Sequence, residues 1–163
     1  LVSSSMQEAT LMTSQLVHID NCADFASPKC GALLNWQNPG DPFWHYGIGL
    51  SGLHVFDTGR GLTVFERRNC LLVENVAHLH LPPRQVISRL KHALVAFADW
   101  NYSLLGWNCE HLARLIATNQ PRCYQSRKVW WISGLTPTGD NPAALDVFNQ
   151  YLAAHEPALI VKI

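Results

Sequence analysis

After Pro82-Pro83, apolar residues recur at three- and four-residue steps: Val86, Ile87, Leu90, Leu94 and Phe97, with Arg84, Arg89, Lys91 and Asp99 between them. That spacing keeps a stripe on one face of a 3.6-residue turn and predicts an amphipathic helix of about four turns starting just past the prolines. A second helix is predicted from Asn108, a good N-cap type, with Leu112, Leu115 and Ile116 as its apolar stripe and Asn119 to Pro121 as its end. A last helix is predicted over Ala144 to His155, where Leu145, Phe148, Tyr151 and Leu152 share a face.

The first half of the chain reads differently. Cys30 to Trp36 (CGALLNW) predicts a short strand, and the Asn38-Pro39-Gly40-Asp41-Pro42 cluster predicts a turn. His45 to Leu50 (HYGIGL) and His54 to Gly59 (HVFDTG) flank Ser51-Gly52 and predict a β-hairpin. Gly61 to Phe65, Cys70 to Asn75 and Lys128 to Ser133 (KVWWIS) supply further strand candidates. Residues 1–25 carry a mixed, mildly polar pattern that suits a short helix or a loose arm. Strands early and helices late predict an α+β fold, not an alternating one.

Composition narrows the function classes. The 163 residues suit one domain with a real core, at 48% hydrophobic and 15% charged. Twelve basic residues balance twelve acidic ones, so no electrostatic footprint for nucleic acid is present. No apolar run is long enough for a transmembrane helix, and Leu1 to Thr13 lack a basic segment followed by an apolar one. Five cysteines, Cys22, Cys30, Cys70, Cys109 and Cys123, show no CxxC spacing, which fits a reducing compartment better than a zinc ribbon or disulfide framework. A cytoplasmic location is the expectation.

The segment richest in chemistry is Asn108-Cys109-Glu110-His111. It sets a cysteine in the first turn of a predicted helix, where free backbone N–H groups and the helix dipole favour a thiolate and lower the thiol pKa. Such a nucleophile needs a base, and His45, opening a predicted core strand, is the candidate. Either His54 or Asp57, both on the next strand, is available to orient that base. Alternation puts His54 with Phe56 and Val55 with Asp57, and the register is open. Trp44, Tyr46 and Tyr102 are candidates for substrate contact, and the Cys109 backbone N–H for an oxyanion donor. His111 is a weaker second base, and Glu110 reads as a favourable first-turn charge. His78-Leu79-His80 offers two imidazoles without a third ligand, so no metal site is expected.

HYGIGL, then HVFDTG, then Tyr102 and WNCEHLA resemble the lecithin:retinol acyltransferase-like family, and Ser126-Arg127-Lys128-Val129 resembles its segment after the cysteine helix. The resemblance runs from about Gly31 to Val129. It implies a circularly permuted papain-like fold, with a small antiparallel sheet packed on a helix that carries the cysteine. It also implies acyl transfer or hydrolysis through a thioester on Cys109, with His45 as base and no cofactor. Related permuted families, of the NlpC type, cleave amides or peptides instead. Family acyltransferases place their second histidine further along than His54, and Leu112 stands where a Phe is usual after NCEH.

The expected organisation is therefore an N-terminal arm or cap (1–29), a catalytic region (30–129) and a C-terminal extension packed on it (130–163). Expected partners are an acyl-bearing small molecule, lipid or peptide, with peripheral membrane contact through Trp130-Trp131 and the last helix as an option. Two other readings stand beside this one: a catalytically silent binding module that keeps the fold, and a catalytic piece of a larger toxin or effector.

Overall fold

Side-chain alternation divides the sheet into two faces. In the computed structural model, which describes residues 3–59, 61–64, 72–73, 79–102, 106–125 and 139–162, five strands pair antiparallel in the order β4-β3-β2-β1-β5. They are β1 (Leu33–Trp36), β2 (His45–Gly49), β3 (His54–Asp57), β4 (Gly61–Val64) and β5 (Leu72–Val73). Leu33 pairs with Ile48, which pairs with Phe56, and these side chains face the helices. Trp36 pairs with His45, and Gly47 with Asp57, so His45 and Asp57 share the other face with the small buried cluster of Leu34, Trp36 and Val55.

Four α-helices stand among the described residues: α1 (Ser3–Cys22), α2 (Pro83–Ala96), α3 (Cys109–Thr118) and α4 (Pro142–His155), with a 3-10 turn at Pro157–Leu159. The α+β expectation holds, with the hairpin, the helix after the double proline and the Asn108 start all in place. Gly31 shows why that proline junction is tight. It sits at φ +77, and a Cβ there would lie 2.7 Å from the Pro83 Cα.

α3 is the centre of the molecule. All its residues from Glu110 to Thr118 are buried, not only one stripe, because β2 lies on one side and α2 on another. Val86, Ile87 and Leu90 of α2, Leu115 and Ile116 of α3, and Phe148 and Leu152 of α4 form one core with the sheet.

Two expectations change. Residues 3–22 form a single 20-residue helix, with Ile19 fully in the core and Asp20 accepting from Lys91 at 2.7 Å. Arg89, read as a polar position of its helix, is fully buried. It stands three residues past Val86 and so shares that core face. The expected strand over Lys128–Ser133, the Ser126–Val129 segment, Trp130-Trp131, Cys70 and His78 lie outside the described residues.

Candidate active site at the start of helix α3

Asn108 adopts an extended conformation, and its side chain accepts from the Glu110 and His111 backbone N–H groups at 3.0 and 3.3 Å. This cap satisfies two of the helix's orphan donors and leaves the Cys109 N–H out of the arrangement. Thr58 ties the helix start to the sheet. Its Oγ1 lies 2.9 Å from Tyr46 O and 2.8 Å from Cys109 O. The Tyr46 backbone N–H faces the Cys109 thiol. That amide nitrogen belongs to the peptide that follows His45, so the thiol and the root of the imidazole occupy one corner of the fold.

The electrostatics of that corner differ from the expected activated thiol. Burial pushes the Cys109 thiol up to about 11, with the Asp57 and Glu110 carboxylates and Cys123 adding to the rise; only the Tyr46 N–H opposes it. The free N-terminus of α3 does not outweigh removal from water, because a neutral thiol needs far less solvation than a thiolate. Cys109 is thus a protonated thiol at neutral pH. Its thiolate fraction at pH 7 is on the order of 10⁻⁴, against a few per cent for a free thiol of pKa about 8.5. Iodoacetamide should therefore modify Cys109 at pH 7 at least about 100-fold more slowly than a free thiol. The rate should rise about tenfold per pH unit until it levels near pH 11. Asp57→Asn, which removes one negative charge, should speed the reaction at every pH below the plateau. Mass spectrometry of the modified peptide reads both effects, and selective fast alkylation below pH 7 would contradict this electrostatic picture.

His45 presents its imidazole beside the sheet's smaller core. Its ring stacks on Trp36 at a centroid distance of 6.1 Å, and its Nε2 lies 2.6 Å from Asp41 Oδ2. Among the described residues no hydrogen bond links His45 to Cys109 directly. Of the two candidates for orienting the base, Asp57 falls near the thiol: a Cβ on Gly59 would lie 3.3 Å from Asp57 Oδ1 and 3.7 Å from Cys109 Cβ. His54 falls at the other end of the hairpin, where its Nδ1 meets Ser51 Oγ at 3.1 Å. Asp57 itself accepts from the Gly59 N–H at 2.8 Å.

The three candidate contact residues separate. Tyr46 buries its ring in the core, under the Arg114 guanidinium at 5.5 Å, and offers the site only its backbone. Tyr102 exposes part of its ring, but its hydroxyl turns inward and donates to Thr58 O. Burial of that hydroxyl, with Cys109 and Asp57 nearby, raises its pKa. Trp44 is held by its backbone: its N–H donates to Gln125 Oε1 at 2.9 Å, and its carbonyl accepts from Gln125 Nε2 at 3.2 Å.

Glu110 is more than a first-turn charge. It is fully buried and accepts from Arg114 Nε (3.0 Å), the Tyr124 N–H (3.0 Å), the Cys123 thiol (3.1 Å), and the Gln125 N–H (3.4 Å) and Nε2 (3.3 Å). Through Gln125 it fixes Trp44, the residue before His45. The carboxylate thus holds the strand start and the helix start in mutual register. Its spacing to Arg114, four residues on, was a signal for a same-face pair; its burial was not readable. His111 is also buried. Its Nε2 donates to Gly139 O at 3.1 Å, its ring stacks near Trp107, and burial lowers its pKa, which keeps it neutral. His80 is bound to its own neighbour, with Nδ1 donating to Leu81 O at 2.8 Å.

A cavity of about 300 Å³ adjoins the corner behind Asp57, Thr58 and Gly59. Phe56, Phe97, Trp100 and Trp107 line it together with Met12 and Gln15 of α1 and Tyr102. A second cavity of about 580 Å³ opens at the other end of α3, beside Asn119, Arg122 and Asp140. Among the described residues no group of three His, Cys, Asp or Glu side chains is placed to hold a metal. Nor is any helix among them long and apolar enough to cross a membrane. No protein-family model, curated protein or solved structure matches the chain.

Proposed function

We propose that this protein is a cysteine-dependent acyltransferase or acyl hydrolase with a permuted papain-like arrangement, working through a thioester on Cys109 with His45 as general base. The observation that carries the reading is the shared corner: Cys109 opens α3, its sulfur meets the amide that follows His45, and His45 opens β2. A protonated thiol suits general-base attack, not a resting thiolate–imidazolium pair. Cys109 Sγ bonds to the acyl carbon while its proton passes to His45, and the carbonyl electron pair moves onto oxygen. The Cys109 N–H, which the Asn108 side chain does not cap, serves as the oxyanion donor in this reading. The oxyanion collapses to the thioester, and the imidazolium protonates the departing alcohol or amine. Water or a second acceptor then takes the acyl group by the reverse sequence.

The cavity lined by Asp57, Thr58 and Gly59, to which neither Cys109 nor His45 contributes, is at the small end of ligand pockets, which run from about 300 Å³ upward. That favours a compact acyl or amide group over a long chain. A half-buried thiol of raised pKa is also what a silent binding module would show, and one experiment separates the two. Incubation with p-nitrophenyl acetate should leave an acetyl group on Cys109, detected by mass spectrometry after acid quench. His45→Ala should reduce its rate of formation by roughly 10²–10⁴-fold. An unlabelled Cys109 across the pH range favours the binding module.

A further inference from the structure

Resting on that reading of Cys109 and His45, we infer that Asp41 is the positioning residue of the site: its carboxylate holds the His45 Nε2 proton and leaves Nδ1 as the base nitrogen. Neither of the two sequence candidates takes this place. Asp41 lies four residues before His45, in the Pro-Gly turn that joins β1 to β2, and its Oδ2 is 2.6 Å from Nε2. The carboxylate is itself braced. Its Oδ1 accepts from the Phe43 N–H at 3.1 Å, its own N–H donates to Asn38 O at 3.0 Å, and its carbonyl accepts from Gln37 Nε2 at 2.8 Å. One oxygen is therefore anchored to the loop while the other is presented to the ring.

His45 is also constrained on one face of its ring. Trp36 lies against its face with the ring planes 21° apart, and Trp36 is fixed in the buried cluster with Leu34 and Val55. The imidazole and carboxylate are 19% and 27% exposed, enough shielding for the pair to hold its geometry. A carboxylate can only accept, so it selects the tautomer with hydrogen on Nε2 and the lone pair on Nδ1. Nδ1 makes no hydrogen bond among the described residues. As Nδ1 takes the thiol proton, the same carboxylate stabilises the imidazolium that forms.

The test is Asp41→Asn in the full chain. Asparagine keeps an oxygen for the Phe43 N–H but turns an NH₂ donor toward Nε2, which favours hydrogen on Nδ1. Two readouts apply: the p-nitrophenyl acetate acylation rate of Cys109, and the ¹⁵N shifts of the His45 ring, which report the tautomer. The wild type should carry its proton on Nε2. Asp41→Asn should move it to Nδ1 and slow acylation at least about 10-fold with an unchanged circular dichroism spectrum; Asp41→Glu should recover part of the rate. An Asp41→Asn protein that acylates at the wild-type rate, while Cys109→Ala and His45→Ala do not, would overturn the role of Asp41 and leave the thiol reading standing. Turnover surviving in Cys109→Ala would overturn both. If Asp41→Asn fails to fold, the wild-type ring decides: hydrogen on Nδ1 there rules out the assignment.

Discussion

Cys109→Ala is expected to abolish turnover of activated esters and to leave the fold intact. The chemical half of that expectation is total, because among the described residues no other nucleophile takes the place of Cys109 at the α3 start. Thr58 has its hydroxyl committed between two carbonyl oxygens, and Cys123 donates to Glu110. The structural half follows from how little the sulfur holds. Among the described residues its polar contact is the Tyr46 N–H, whereas the cap of α3 belongs to Asn108. Loss of the sulfur should cost within about 1 kcal/mol, a fall in Tm of roughly 2–4 °C for a chain of this size. The pH dependence adds a second signature. A thiol whose pKa rises on folding favours the folded state below its unfolded pKa, and that contribution disappears as pH climbs from about 8.5 to about 11. Wild type should therefore lose more stability across that window than Cys109→Ala, in chemical denaturation at fixed pH. Equal losses would mean that the half-buried thiol keeps more contact with water than a pKa of about 11 requires, and residual turnover in the variant would displace the thioester mechanism.

The cysteine helix was legible because its start depends on local chemistry: an Asn side chain that accepts from the next turn is a property of three or four consecutive residues. The hairpin was legible for the same reason, through alternation around Ser51-Gly52. The choice between His54 and Asp57 was not, because it depends on which end of β3 meets the α3 start. Asp57 closes the strand next to Thr58, which bonds the Cys109 carbonyl, whereas His54 opens it at the Ser51 turn. Asp41 was hidden by a different cause. A Pro-Gly turn has no periodicity from which to project a side chain, so a carboxylate four residues before the histidine looked like part of a loop. α1 was underestimated because its pattern is weak: Met6, Leu11 and Val17 are exposed, and Ile19 carries the deepest contact. The raised Cys109 pKa marks the limit of motif reading. The helix start argues for a thiolate, but the depth at which tertiary packing sets that start reverses the sign.

Arg89→Ala is expected to be strongly destabilising, on a par with truncating a large core aromatic. The guanidinium is fully buried, and burial lowers its pKa to about 10, so it remains charged at neutral pH. Among the described residues no carboxylate pairs with it. Carbonyls replace one: Nε donates to Ile116 O at 3.0 Å, Nη2 to Leu115 O and Asn119 Oδ1 at 2.7 Å each, and Nη1 to Leu159 O at 2.9 Å. Leu115 and Ile116 belong to the last turn of α3, where the dipole is negative; Leu115 O also accepts from the Asn119 N–H at 3.1 Å, so Arg89 is a second donor to it. Arg89 thus caps α3 from the neighbouring helix and fastens the chain after α4 to the same point, with the Phe148 ring beneath it at 4.9 Å. Truncation leaves these acceptors buried and a cavity behind them, at a cost of about 3–5 kcal/mol. At roughly 2–4 °C per kcal/mol, Tm should fall by at least about 6 °C. Arg89→Lys keeps the charge but not the fork, so it should fall between. The site should feel the change as well. α3 rises about 1.5 Å per residue, so Cys109 lies roughly 14 Å from the capped end. A helix whose far end is loosened no longer holds its first residue against β2. Acylation of Cys109 should drop in Arg89→Ala even at temperatures where the protein stays folded, and a stable variant with full acylation would show that packing around α3, not this cap, fixes the nucleophile.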